Sequence, residues 1–160
     1  MIIIKEFEAD DRDEVIGLAL YFQNDGSRPQ VTIEDQPDML HIRKNYFDNG
    51  GGFWVAKDDG KVVGTIGLMR YTNEIAVLKK FFVYEKYQGN PEHLGQKLYK
   101  VLIDFAKQQN LKTIILDTPR NTTRAHRFYE MAGFKKISKK ELPIKYHYPI
   151  AECDFFMLRL

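Results

Sequence analysis

Between Ile75 and Leu98 the chain reads IAVLKKFFVYEKYQGNPEHLGQKL: an apolar strand, a turn with Gln88-Gly89 and Gly95, and an amphipathic helix. A strand feeding a glycine-containing turn at a helix start offers backbone N–H groups to phosphate, since the first helical turn has no internal acceptors for them. Other chemistries fall away on residue type and spacing. Ser27 and Ser138 are the only serines and neither stands in a G-x-S-x-G turn, which argues against serine hydrolysis. His41, His93, His126 and His147 are scattered, without H-E-x-x-H or another ligand spacing, so no metal is expected. Cys153 is the only cysteine, which excludes an internal disulfide and a four-cysteine metal site. Its position in a strand predicts a buried structural thiol, although His147 is near in sequence. Gly95 is followed by Gln96-Lys97 rather than Gly-Lys-Ser/Thr, so there is no Walker motif. The turn also lacks the G-x-G-x-x-G spacing of dinucleotide sites.

The elements that must position this turn follow from periodicity. Ile2 to Phe7 predicts a first strand, with Ile2 and Ile4 on one side. Asp10 or Asp11 then caps a helix whose Val15, Leu18, Ala19 and Phe22 share a face. A polar loop, NDGSRPQVT, precedes a further helix predicted from about Gln36 to Asp48, with Met39, Ile42 and Phe47 apolar, and Asn49-Gly50-Gly51-Gly52 ends it. Phe53 to Lys57 and Lys61 to Tyr71 flank Asp58-Asp59-Gly60, a hairpin signal, and Thr72-Asn73 turns the chain back into Glu74 to Tyr84. Three antiparallel strands in a meander are expected.

Beyond the turn the period becomes helical. Leu94, Leu98, Val101, Leu102 and Phe105 lie on one face, and KTIILD follows with the apolar run of a buried central strand. Strand, helix and strand predict a right-handed parallel crossover. A last helix carries Ala125, Phe128, Tyr129 and Ala132, ends at Gly133 and hands over to Phe134. Lys139 to Ala151 reads as a loop, and about Glu152 to Leu160 as a final strand. The fold class is mixed α/β (α+β) in a single domain over residues 1–160, with a central mixed sheet and flanking helices.

Composition narrows the partners. The chain has 160 residues, 44% hydrophobic and 29% charged, which suits one globular domain. A net charge of +2 does not call for nucleic acid or an acidic membrane. The pairs Lys79-Lys80, Lys135-Lys136 and Lys139-Lys140 read as solvated surface. No run approaches a membrane span and the N-terminus lacks a secretory pattern, so a cytoplasmic protein is the expectation.

Three pieces together resemble the GNAT superfamily of N-acetyltransferases. LKKFFV is similar to the family's fourth strand. YQG, followed by LGQKL, is similar to its Q/R-x-x-G-x-G/A pyrophosphate turn and helix, although Asn90-Pro91-Glu92-His93 lengthens the turn here. RAHRFYEMAGF, Arg124 to Phe134, is similar to its A-x-x-x-Y-x-x-x-G-F signature. With the meander, the resemblance covers roughly Phe53 to Lys136.

The resemblance implies transfer of an acetyl group from acetyl-coenzyme A (acetyl-CoA) to a primary amine, by direct attack through a tetrahedral intermediate. It implies that the fourth and fifth strands splay apart, leaving backbone groups of Phe81, Phe82 and Val83 for the pantetheine arm. An amide near Phe82 would polarise the thioester carbonyl. Gln88, Gly89, Leu94, Gly95, Gln96 and Lys97 match the pyrophosphate turn, and Thr122 stands where the family often has a coenzyme-contacting Asn. Asn90-Pro91 is itself a good helix start, and Glu92 is expected to point away from the pyrophosphate.

Tyr129 matches the general acid. An unperturbed phenol ionises near pH 10 and a thiol near 8.5, so a protonated tyrosine is able to donate to the departing thiolate. Glu74 is the candidate base, while Asp117 orients substrate or caps the next turn. Tyr146, His147 and Tyr148 are candidates for an acceptor pocket or for aromatic packing. The acceptor is a small-molecule or peptide amine, and a homodimer would be in keeping by analogy. The alternative is a non-catalytic module of the same fold that binds or senses coenzyme A; a third reading is a nucleotide-binding α/β domain at the same helix start.

Overall fold

Apolar alternation and two tight turns build most of the sheet. A computed structural model describes residues 1–26, 30–148 and 152–160. Ser27 and parts of the loops at 24–36 and 139–151 lie outside the described residues. Strand β1 (Ile2–Glu6) leads into helix α1 (Arg12–Gln23). The meander is β2 (Gly52–Asp58), β3 (Lys61–Arg70) and β4 (Ile75–Val83). Helix α2 (Leu94–Gln108) crosses to β5 (Thr113–Pro119). Helix α3 (Thr123–Met131), β6 (Lys135–Ile137) and β7 (Cys153–Arg159) complete the chain. The seven strands lie in the order β1-β2-β3-β4-β5-β7-β6. Among the described residues only the β4–β5 pairing is parallel; the expected mixed sheet and crossover are present.

The sheet has a core on each face. On one, α2 buries Leu94, Leu98, Leu102 and Ala106 completely against Trp54, Ile66, Leu68 and Ile114. Burial of each leucine is worth about 1.5–3 kcal/mol. Val101 and Phe105, expected on the same face, are half-buried at its rim. On the other face, Val15, Leu18 and Ala19 of α1 pack with Met39, Ile42, Tyr46 and Phe53. Close approach of α2 depends on Gly64 of β3, where a Cβ would lie 3.0 Å from Leu98 and 3.4 Å from Leu94.

Both later helices end in paired backbone bonds. Asn110, at φ 60°, and Leu111 close α2 by donating to the Lys107 and Ala106 carbonyls. Gly133, at φ 98°, and Phe134 close α3 by donating to the Glu130 and Tyr129 carbonyls, so the stop is built directly on Tyr129.

Three expectations are corrected. The single helix from Gln36 to Asp48 is instead a 3-10 turn, Pro37–Leu40, and one turn of π-helix, Arg43–Phe47. The break at His41 lets the Tyr46 hydroxyl donate to Asp38 at 2.6 Å while Met39, Ile42 and Tyr46 are all buried. Asn90-Pro91 does not start α2; the helix begins at Leu94, after His93 at φ 46°. Lys80 is not solvated surface but buried, for reasons that belong to the site.

Gly64→Val should lower unfolding free energy by about 1–3 kcal/mol, measured by urea denaturation, because α2 must retreat from β3. An unchanged midpoint would show that the helix does not depend on this contact.

Candidate functional site

The parallel pairing of β4 with β5 covers only Ile75 to Val77 against Thr113 to Ile115. Beyond it β4 stays with β3 as far as Val83, and β5 stays with β7 as far as Pro119. The strands therefore part in mid-sheet, and among the described residues the β5-facing edge of Leu78 to Val83 has no strand beside it. A cavity of about 730 Å³ fills the gap, a size ordinary for ligand sites.

A bulge shapes the β4 wall. Thr65 pairs with Phe82 and Gly67 with Lys79, so Lys80 and Phe81 stand opposite Ile66 alone. Lys80 takes φ 55°, an uncommon conformation for a residue with a side chain. Its carbonyl accepts from the Thr65 hydroxyl at 2.7 Å. Its ammonium donates to Gln36 Oε1 at 2.7 Å and lies 3.8 Å from Asp38 Oδ2. Gln36 and Gln23 exchange two amide hydrogen bonds of 2.6 and 2.7 Å, both side chains buried. Burial and then Asp38 push the Tyr46 phenol well above its ordinary value, so it remains a donor to that carboxylate. These bonds offset the cost, several kcal/mol, of taking an ammonium out of water.

At the cavity's other end stands the start of α2. Among the described residues no side chain caps it, so the first-turn N–H groups remain available as anion donors. Gly89 and Gly95 line the cavity there. A Cβ on Gly89 would meet nothing within 4 Å, and one on Gly95 only the Phe81 ring at 3.7 Å and Phe128 at 4.0 Å. Neither glycine has the positive φ that would require it, so their effect is to keep the space clear. Gln88 folds back and donates to the Val83 carbonyl at 2.7 Å, which ties the turn to β4. Glu92 does not line the cavity, and its charge bears on Tyr87 instead.

Tyr129 projects from α3 into the same space, 7% exposed, among the rings of Phe81, Phe128, Phe134 and Phe156. Thr122 precedes α3, and its hydroxyl donates to the Pro119 carbonyl at 2.7 Å. Phe82 stacks on Phe22 with planes 4° apart, so its side chain packs while its main chain borders the gap.

Nine sequence-predicted residues therefore share one cavity: Phe81, Phe82, Val83, Gln88, Gly89, Gly95, Gln96, Thr122 and Tyr129. Three do not line it. Leu94 is wholly buried in the core, so only its amide is free to serve, and the Lys97 side chain is exposed. Glu74 is exposed at the opposite end of β4, and its carbonyl accepts from the Lys112 and Thr113 amides. At ~3.3 Å per residue it stands roughly 20 Å from Phe81 along the strand.

Asp117, weighed as an orienting residue, does line the cavity, and its Oδ1 accepts from the Tyr146 hydroxyl at 2.9 Å. Tyr146 and Tyr148 pack against Phe155, and neither they nor His147 line the cavity. Burial and then Asp117 push the Cys153 thiol up to about 12, which keeps it an inert neutral group. Among the described residues, no cluster of metal-ligating side chains is found and no helix is long and apolar enough to cross a membrane.

Sequence reasoning missed Lys80, Gln23 and Gln36, and also Arg124, which lines the cavity. One signal was present: in LKKFFV two adjacent lysines cannot both face solvent on a strand with period two.

Residues 25–134 match the model of the acetyltransferase (GNAT) family. A probable N-acetyltransferase, camello, of Xenopus tropicalis is 37% identical over 113 residues, 69% of this chain and 51% of that protein. The chain thus spans about half the length of that relative. An acetyltransferase structure from Streptococcus agalactiae superposes with a TM-score of 0.95 at 38% identity, covering 99% of this chain and 98% of that one. A GNAT-family acetyltransferase from Staphylococcus aureus gives 0.92 at 32% identity, covering 99% of each.

Lys80→Met should cost on the order of 3 kcal/mol in urea denaturation, because Asp38 and Gln36 lose a buried partner. A variant as stable as the parent would mean that the ammonium does not hold the bulge.

Proposed function

This chain belongs to the acetyltransferase (GNAT) family, and we propose that it acetylates a primary amine by direct attack of the amine on acetyl-CoA. In this reading residues 1–160 act as one acetyltransferase domain in the cytoplasm, a compartment that suits the single unpaired cysteine. The observation that carries the proposal is the parting of β4 from β5 over a cavity with a helix N-terminus at one end and Tyr129 in its wall.

Acetyl-CoA supplies an activated thioester and, in its diphosphate, an anion of the kind a helix start binds. The residues present fit it: Gly89 and Gly95 leave room, and the amides of Leu94, Gly95 and Gln96 have no side-chain cap. Backbone groups of Phe81, Phe82 and Val83, left without a strand partner on the β5 side, hold an extended ligand as an added strand would be held. An N–H from this stretch, fixed by the bulge, stabilises negative charge on the reacting carbonyl oxygen. Tyr129, in its aromatic surroundings, donates a proton to the leaving sulfur. The reading as a coenzyme A sensor without turnover makes the same binding prediction and differs only in the chemistry.

Coenzyme A should raise the thermal midpoint, with about 2.7 kcal/mol of stabilisation at a hundredfold excess over Kd. Thiol should be released from acetyl-CoA in the presence of an acceptable amine. Tyr129→Phe should lower kcat by about 10²-fold or more while coenzyme A still stabilises the protein. Full activity in that variant would remove Tyr129 from the acid role, and stabilisation without turnover across a wide amine panel would favour the sensor.

A further inference from the structure

Asp117 stands where the two lips of the gap face each other. Val77 is in register with Ile115, so two residues farther on Asp117 stands across from Lys79, just past the last pairing. Phe81 and Phe82 follow Lys79 by two and three residues, roughly 7–10 Å along the strand at ~3.3 Å each. Asp117 therefore lines the cavity at the end away from the α2 start.

Its setting is specific. Oδ1 is occupied by the Tyr146 hydroxyl at 2.9 Å, and Oδ2 has no hydrogen bond among the described residues. Tyr146 is fixed by the rings of Tyr71, Tyr148 and Phe155. Burial and then Asp117 itself push its phenol far up, so Tyr146 is a permanent donor and not a competing base. The charged and titratable groups facing Asp117 are Tyr146, Tyr71 from the end of β3, Cys153 from β7 and Lys79 from β4. Lys79 is engaged elsewhere: its ammonium donates to the His147 carbonyl at 3.0 Å and lies 5.5 Å from the Tyr146 ring centre. The Cys153 thiol and both phenols are neutral at pH 7. Asp117 thus lines the cavity with one carboxyl oxygen held by Tyr146 and no hydrogen bond to the other among the described residues.

We propose that Asp117 binds the acceptor as its ammonium ion and takes the proton that must leave before attack, with Tyr146 as a positioning residue. This rests on the acetyltransferase reading and names its substrate class: amines that are cationic at neutral pH. Asp117 removes one proton from R–NH₃⁺, and the freed lone pair forms the N–C bond to the acetyl carbon. The C–S bond breaks, and its electron pair stays on sulfur, which takes the Tyr129 proton. The second proton lost by nitrogen returns through solvent to Tyr129, and the first passes from Asp117 to solvent. One ammonium and one thioester become one amide, one thiol and one released proton.

The test uses the full chain with acetyl-CoA and four amines: benzylamine, putrescine, glycine and a tetrapeptide. Asp117→Asn should reduce kcat/KM by about 10²-fold at pH 7, and the deficit should narrow as pH approaches the amine's own pKa. Asp117→Glu should recover part of the loss. Tyr146→Phe should lose about 10-fold, chiefly through KM for the amine. Coenzyme A should stabilise every variant as it does the parent, which shows that each is folded. Parent activity with Asp117→Asn within twofold of it at every pH would overturn this proposal alone. A deficit that stays constant with pH would overturn the proton-accepting role. No thiol release from any amine by the parent would overturn both this proposal and the acetyltransferase reading.

Discussion

A parallel strand pair that stops pairing after three residues governs the rest of this molecule. Backbone N–H and C=O groups buried without partners are costly, and sheets ordinarily satisfy them by continuing the ladder. Here β3 and β7 hold the two strands from outside, so β4 and β5 stay extended although they no longer bond to each other. The gap consequently has a strand on each side, and its inner edges carry polar main-chain groups at strand spacing. An extended ligand with amide groups of its own is the natural complement of such an edge. The helices follow from the same arrangement. Crossing from β4 to β5 obliges α2 to start at the open end of the gap, and α3, following β5, brings Tyr129 to its side.

The bulge at Lys80 and Phe81 is the second constraint, and it is expensive. A lysine in left-handed conformation with a buried ammonium opposes both backbone preference and solvation. The structure compensates with a donor on its carbonyl, an amide acceptor and a nearby carboxylate on its ammonium, and a reciprocal glutamine pair behind them. Breaking the predicted helix at His41 belongs to this compensation, since a continuous helix would not deliver Gln36, Asp38 and Tyr46 to the same spot. Tertiary polar satisfaction therefore outweighed local helical periodicity in this segment. Among the described residues the segment reaches the cavity wall only through Lys80 and Gln23, which its Gln36 holds by hydrogen bonds.

Legibility in the sequence followed the physics. Turn chemistry and apolar periodicity are local, and Asp59-Gly60, Gly133 and the α2 leucines marked strands and helices with boundaries close to those observed. Gln88, Gly89, Gly95 and Tyr129 do line one cavity, and they were nameable in advance because the turn and α3 are each continuous stretches of chain. The long-range contacts around it were not. Asp117 and Tyr146 are 29 residues apart and Lys80 and Gln36 are 44 apart, and nothing local says that they meet. Glu74 was attractive as an acid at a strand start, but strand rise alone carries it to the wrong end of β4. The lysine pair in LKKFFV did hold a readable conflict, because alternation sends one of two adjacent residues inward.

The lengthened turn shows how an irregular motif can leave a helix start uncapped. Four residues separate Gly89 from Leu94-Gly95, and the Asn90–Pro91 peptide is cis. The His93 amide reaches back to the Gly89 carbonyl at 2.9 Å, which closes the excursion into a loop outside the helix. Glu92 leaves with that loop, away from the cavity wall that Gly89, His93, Gly95 and Gln96 form. What a phosphate needs at a helix start is uncapped amides and the absence of side chains in front of them, not a fixed count of residues in the preceding turn. Leu94, buried completely against the sheet, fixes the helix start from the core side, so one residue's side chain anchors the element while its neighbours' amides stay open. The extra residues therefore change the approach to the helix and leave its first turn intact.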